Sequence, residues 1–379
     1  MTSELSSLCS YAKGKVSVDT LSKRNYVSTE NMMPNKGGIV DAGALPSAQY
    51  TQQYIKDDIL VSNIRPYFKK IWMADDDGGC SNDVLVFRAD RGCDSTFLYY
   101  ILANDAFFNY ASATSKGTKM PRGDKTAIMQ YKVPCFNYET QLRIGKLLRS
   151  IDDRIAVNKK INDNLQQQLF SLYENMATAS PCLKEYTLSN LCDFQEGYVN
   201  PPQTHPEYFD GEVKWLRAVD INESFIIETS RTLTKAGFES AKKSALLFEP
   251  NTIAISKSGT IGRLGIIADY MCGNRAVINI APHDTNMLAF IYCFLKSKQR
   301  EFPDMAVGSV QKNLYVSLLE LLSVSIPDNE SLTAFNAVGA SILGMIHNNC
   351  VENTDLANLR DTILPKLMSG EIDVSSVLL

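Results

Sequence analysis

The chain has 379 residues, of which 45% are apolar and 21% charged, and carries a formal net charge of −4. That composition belongs to a folded globular protein with room for two or three domains, and it excludes a bulk polycation that coats nucleic acid without selection. No apolar run is long enough for a membrane span, the first residues lack the apolar stretch of an export signal, and the nine cysteines are scattered without a CxxC pair. The expectation is a cytoplasmic protein with reduced thiols.

In chain order, residues 1–138 read as a first globular unit. Asp57-Asp58 is a turn running into the strand Ile59–Ser62, and Gly78 to Asn82 introduces a second strand at Val84–Phe87. Thr96 to Tyr110 reads as one buried helix. A Lys/Gly segment follows from Ser115 to Lys125, and Val133-Pro134 closes the unit. A long helix is predicted over residues 139–178. Its apolar residues recur at alternating steps of four and three: Ile144, Leu148, Ile151 and Ile155, then Leu165, Leu169, Leu172 and Met176. This is a heptad seam, interrupted by Asn158 and Asn162.

Residues 179–328 retrace the first unit. Asn251 to Ser256 answers the Asp57 to Ser62 strand, Cys272-Gly273-Asn274 and Ala276 to Ile280 answer Cys80 to Phe87, and Leu288 to Lys296 answers the buried helix. Gly308 to Lys312 stands where the Lys/Gly segment stood, and Ile326-Pro327 where Val133-Pro134 stood. A second long helix is predicted over residues 329–370, before a tail at 371–379. Ile342, Ile346, Asn349, Asn353 and Leu356 repeat Ile151, Ile155, Asn158, Asn162 and Leu165 at a constant offset of 191 residues. Ile363 and Leu367 continue the seam, and Arg360 is its one mismatch, standing where the first copy has Leu169.

An internal duplication of this kind predicts an α+β protein. Two similar α/β globular units alternate with two long helices, related by a pseudo-two-fold repeat. A lone helix of about 35 residues, roughly 50 Å long, would leave its narrow seam wet. Pairing the two copies as an antiparallel coiled coil covers both seams and sets the asparagines against each other, where they cost stability but fix register. The plainer alternative is that each helix packs on its own globule as ordinary core.

Several local patterns, in this order and with the duplicated helix, resemble the DNA-specificity subunit of type I restriction–modification enzymes. In the first unit they are Asp58-Ile-Leu-Val-Ser-Asn-Ile-Arg-Pro-Tyr-Phe-Lys-Lys, Gly79-Cys-Ser-Asn-Asp-Val-Leu-Val-Phe and Lys119-Met-Pro-Arg-Gly-Asp-Lys. In the second they are Tyr208-Phe-Asp-Gly-Glu-Val-Lys-Trp-Leu, Ser256-Lys-Ser-Gly-Thr-Ile-Gly-Arg and Gly308-Ser-Val-Gln-Lys-Asn-Leu. The resemblance implies two target-recognition domains that each read half of a split duplex sequence, with the helices as a ruler between the half-sites. It implies methyltransferase subunits, which would use S-adenosylmethionine, docked on this chain, and an endonuclease subunit able to join them. It implies no cofactor and no catalysis in the chain itself. Half-sites one helical turn apart, roughly 34 Å, would face one side of the duplex.

The candidate DNA contacts are basic or amide residues on small-residue loops that can approach phosphates and base edges. In the first unit they are Lys116, Lys119, Arg122, Lys125, Arg65, Lys69 and Lys70. In the second they are Lys257, Arg263, Gln311 and Lys312. Each is also compatible with a solvated loop. Tyr67 and Trp215 read as packing residues. Gln166, Gln167, Gln168 and Tyr173, with the region near Asp361, are candidate docking faces for partner subunits.

Other chemistry is thin. Ser256 to Arg263 is Gly-rich but lacks the P-loop pattern, and reads as a strand-to-strand turn. Asn200-Pro201-Pro202-Gln203 has Gln where an amino-methyltransferase carries an aromatic clamp, so it reads as a Pro-rich turn. The three histidines lack metal-ligand spacing, and Asp75-Asp76-Asp77 reads as a solvated turn. The competing readings are a stand-alone DNA nuclease or methyltransferase, and a helical adaptor that binds no nucleic acid.

Overall fold

A computed structural model describes residues 2–179, 184–308 and 311–375. The chain divides into two compact units, Met1–Arg154 with Leu356–Leu379, and Ile155–Asp355. The two long helices, Tyr138–Ala179 and Asn329–Ser369, are each cut by this division, so each unit contains a part of both. Among the described residues no helix is long and apolar enough to cross a membrane.

The first unit is built on an antiparallel sheet in the order Cys9–Tyr11, Val84–Ala89, Ile59–Ser62, Ile71–Met73. Ile59–Ser62 is buried at every position, as its unbroken apolar run requires of a strand covered on both faces. Asp57 takes a left-handed turn before it, at φ 68°. A second sheet runs Lys15–Ser17, Tyr50–Tyr54, Gly78–Cys80, Tyr26–Val27. The buried helix expected over Thr96 to Tyr110 is two helices, Ser95–Ala103 and Asp105–Ala113. Asn104 breaks them, because its side chain accepts from Ala106 N and so caps the second. Asp94 caps the first through Phe97 N at 2.8 Å.

The second unit repeats this order as Cys192–Glu196, Val277–Pro282, Ile253–Ser256, Leu264–Ile267, and adds Phe225–Ile226 as a fifth strand. A smaller sheet joins Thr232–Leu233, Phe209–Leu216 and Cys272–Gly273. Leu288–Lys298 is the covering helix, buried from Leu288 through Leu295. In each unit a short antiparallel pair precedes a long helix: Thr2–Glu4 with Lys132–Pro134, and Lys184–Thr187 with Ser323–Ile326.

Within each unit the two helix portions pack on each other in antiparallel register and also on that unit's core. In the second unit Asn158 Nδ2 donates to Asn353 Oδ1 at 3.1 Å and to Glu352 Oε2 at 2.9 Å. Asn349 Nδ2 donates to Asn162 Oδ1 at 2.8 Å. Asn158 and Asn162 are buried, and Ile155, Leu165, Asn349 and Asn353 half-buried. Leu169, Ile342 and Ile346 join the apolar core of that unit. In the first unit Ile144, Leu148, Leu364 and Leu367 share one core, and Ile151 is buried beside it. Leu356 and Ile363 are half-buried.

Two expectations along the seam change. Leu172 is exposed, and its place is taken by Tyr173, which is buried against Phe290 and Phe335. Steps of four, from Leu165 to Leu169 to Tyr173, follow the broader stripe of a helix packed on a globule rather than the narrow coiled-coil seam. Tyr173 is therefore core and not a docking face, whereas Gln167 and Gln168 are exposed. The mismatch at Arg360 has a structural reason. Its Nη1 meets Asp152 Oδ1 at 2.6 Å, and Tyr100 donates its hydroxyl to Asp152 Oδ2 at 2.6 Å. Burial and the adjacent Asp152 carboxylate push the Tyr100 hydroxyl well above its ordinary range, so it stays a donor.

Candidate nucleic-acid interface

In the first unit three backbone contacts gather the candidate residues at one edge of the sheet. Asn63, just after the strand Ile59–Ser62, donates its N–H to Asp83 O at 2.8 Å, and its carbonyl accepts from Gly123 N at 3.2 Å. Arg65 N donates to Pro121 O at 2.8 Å. The segment between them closes on itself, with Lys116 N to Arg122 O at 2.8 Å and Arg122 N to Lys116 O at 2.9 Å. Gly117 supplies the turn with φ 97°, which other residues rarely adopt.

The side chains of this edge differ in how free they are. Lys119 is exposed and has no protein partner among the described residues. Lys125 is exposed at the start of a short helix capped by Asp124. Lys116 Nζ lies 2.6 Å from Asp124, and Arg122 Nε 3.1 Å from Asp83 Oδ1. Arg65 is half-buried in a left-handed conformation, φ 50°, with a buried Nε that has no hydrogen-bond partner among the described residues. Lys69 is tied to Asp105 at 2.7 Å, which Lys36 also meets. Lys70 donates to Thr29 O at 2.6 Å, and burial lowers its pKa. Lys69 and Lys70 thus each have a partner within the unit. Tyr67, expected to pack, is 52% exposed beside Phe68.

The second unit has the same frame. Lys257 N donates to Ala276 O at 2.7 Å, and Lys257 O accepts from Leu314 N at 2.9 Å. Val307 and Asn313 exchange backbone bonds at 3.0 and 2.9 Å, as Lys116 and Arg122 do. By these bonds Lys257 corresponds to Asn63, Ala276 to Asp83 and Asn313 to Arg122. Gln311 and Lys312 are exposed, and Arg263 is half-buried, its N–H held by Ser256 Oγ. Lys257 is mostly enclosed, with its Nζ 2.8 Å from Glu196 Oε1 and 5.3 Å from the centre of the Tyr315 ring. Sequence reasoning missed Asp83 and Glu196. Nothing in the sequence around them marks either as the partner of a cation, because each meets its cation only through folding.

The remaining motifs resolve as local structure. Ser256 to Arg263 connects two antiparallel strands. Asn200 to Gln203 is irregular, and Gln203 Oε1 accepts from Arg231. Trp215 is buried and donates to Val199 O at 2.7 Å. Asp77 Oδ1 accepts from Lys56 N at 2.8 Å as a turn contact, and His347 lies edge-on to Phe225. Burial pushes the thiols of Cys80, Cys192, Cys272 and Cys293 up to about 12, which leaves them protonated packing groups. Among the described residues no cluster of His, Cys, Asp and Glu is placed to hold a metal ion.

A duplicated α+β framework, whose loop edges share backbone bonds and differ in side chains, is a modular architecture. The chain belongs to the family described as type I restriction modification DNA specificity domain, whose model matches residues 1–167 and again 183–354. It is 24% identical over 308 residues to the type I restriction enzyme MjaIX specificity subunit of Methanocaldococcus jannaschii, covering 76% of this chain and 71% of that one. It is 27% identical over 176 residues to the HindI specificity subunit of Haemophilus influenzae, covering 45% and 38%. Its fold is similar to the crystal structure of a type I restriction–modification S subunit from M. genitalium, with a TM-score of 0.57 and 18% identity over 97% of this chain and 96% of that one.

Proposed function

We propose that this chain is the non-catalytic recognition subunit of a type I restriction–modification system, and that each compact unit reads one half of a split duplex target. The carrying observation is the repeated backbone frame at Asn63, Asp83 and Gly123 and at Lys257, Ala276 and Leu314, on which the side chains differ. A fixed frame with exchanged side chains is what two readers of unlike half-sites need. Arg65, Lys116, Lys119, Arg122 and Lys125 face DNA in the first unit, and Lys257, Arg263, Gln311 and Lys312 in the second. Methyltransferase subunits, with S-adenosylmethionine as their methyl donor, dock along the long helices, and an endonuclease subunit joins that complex.

The test is to express the chain with methyltransferase subunits and map methylation across a genome. A split motif with a fixed spacer is expected. Replacing residues 1–138 by those of a relative should change one half of the motif and leave the other. An unsplit motif, or two altered halves after a single replacement, would defeat the reading. Seven residues inserted into both long helices should change the spacer length, and an unchanged spacer would remove the helices' measuring role.

A further inference from the structure

We infer that Arg122, oriented by Asp83, reads a guanine edge in the half-site bound by the first unit. This rests on the DNA-reading function proposed above and names the base and the residue that determine one position. A single neighbour ties Asp83 to the residue that follows Arg122: Asn63 donates its N–H to Asp83 O, and its carbonyl accepts from Gly123 N. Arg122 is further clamped by its two backbone bonds to Lys116. Its side chain is half exposed, and its Nε donates to Asp83 Oδ1 at 3.1 Å. The two terminal nitrogens have no protein partner among the described residues, so the forked end of the guanidinium remains available.

Guanine presents two acceptors, O6 and N7, in the major groove, and the arginine fork matches them as a bidentate pair. A phosphate contact needs only positive charge and gains nothing from a carboxylate beside it, because the carboxylate repels the phosphate. Asp83 therefore suits a base reader and opposes a backbone anchor. Lys119, exposed and without a partner among the described residues, has the opposite character. In the second unit the corresponding positions hold Asn313 and Ala276, which cannot form such a pair.

The test uses the complete complex with its methyltransferase subunits, comparing wild type with Arg122→Lys and Asp83→Asn. Each is scored by genome methylation mapping and by affinity for a target duplex over a salt series. Lysine keeps the charge but loses the fork. We expect Arg122→Lys to relax one G·C position in one half-site, with discrimination there falling about tenfold or more, while the salt dependence stays as in wild type. Asp83→Asn should relax the same position by less, with thermal stability unchanged, which a merely structural role would not produce. The assignment is overturned if Arg122→Lys leaves every position as selective as before, or if the relaxed position is not G·C. A wild-type complex without a split motif would defeat the functional reading and this assignment with it.

Discussion

The loop edges of the two units share their backbone bonds and share almost none of their electrostatics. At the first, Lys119 and Lys125 are exposed cations, and Arg122 is held by a carboxylate on a neighbouring turn. At the second, Lys257 is enclosed against Glu196, and Lys312 is an exposed cation beside an amide, Gln311. The frame is set by main-chain hydrogen bonds that depend little on the side chains they carry. The side chains are then free to differ without cost to the fold, and that independence lets one architecture carry two different sets of polar groups.

Close backbone approaches leave some positions in each unit no room for a side chain. Gly197 sits where the second unit's edge strand passes the Gly273-Asn274 turn, and a Cβ there would fall 2.2 Å from Asn274 O. Gly197→Ala should destabilise that unit by about 3 kcal/mol, the upper end for overpacking against backbone. The motif half read by the second unit should weaken while the other half persists. Limited proteolysis with methylation mapping checks both, and equal loss of both halves would break the comparison. The helix portions differ as well. Arg360→Leu removes the partner of Asp152 and should cost about 1–3 kcal/mol in the first unit, less than a fully buried pair because both side chains retain some exposure. Adding Asp152→Leu should recover most of that loss but not all, since Tyr100 then lacks its acceptor. Denaturant melts of the single and double variants measure the difference.

Much of this was legible in the sequence because it repeats. Asn158, Asn162, Asn349 and Asn353 share one spacing in both copies, and the antiparallel contacts of Asn158 with Asn353 and of Asn162 with Asn349 follow from it. The strands Ile59–Ser62 and Ile253–Ser256 declare themselves by unbroken β-branched and aliphatic runs. What could not be read was tertiary. Leu172 and Tyr173 are adjacent apolar residues, and which one turns inward depends on Phe290 and Phe335, far away in the chain. Asn104 reads equally as a surface residue or a cap. The candidate cations were visible as residue types, but their carboxylate partners were set by folding. Lys69 and Lys70 likewise meet Asp105 and Thr29 only in the folded unit.

Glu196 offers a way to make the second edge resemble the first. Glu196→Gln removes the charge that holds Lys257, while Tyr198, which donates to Glu196 Oε2 at 3.0 Å, keeps an oxygen acceptor. We expect about 1 kcal/mol of lost stability. DNA affinity should rise severalfold at low salt, with a salt dependence steeper by about one counterion. Binding isotherms at several salt concentrations check this. Unchanged isotherms would mean that Lys257 holds the strand edge together and does not meet DNA.

The smallest effect expected is the most useful in discriminating roles. Lys119 is exposed, without a protein partner among the described residues, on a loop whose backbone is fixed at its base by Lys116 and Arg122. Lys119→Ala should leave stability within about 0.5 kcal/mol of wild type, as for surface positions generally. Binding should weaken alike on target and non-target duplexes, and the salt slope should fall by about one. The methylation motif should keep every base. Arg122→Lys should do the reverse, changing the motif and sparing the slope. Two residues three positions apart would then be separated into one that anchors the duplex and one that reads it. If Lys119→Ala altered a base of the motif, the division between charge that attracts and geometry that selects would not hold at this edge.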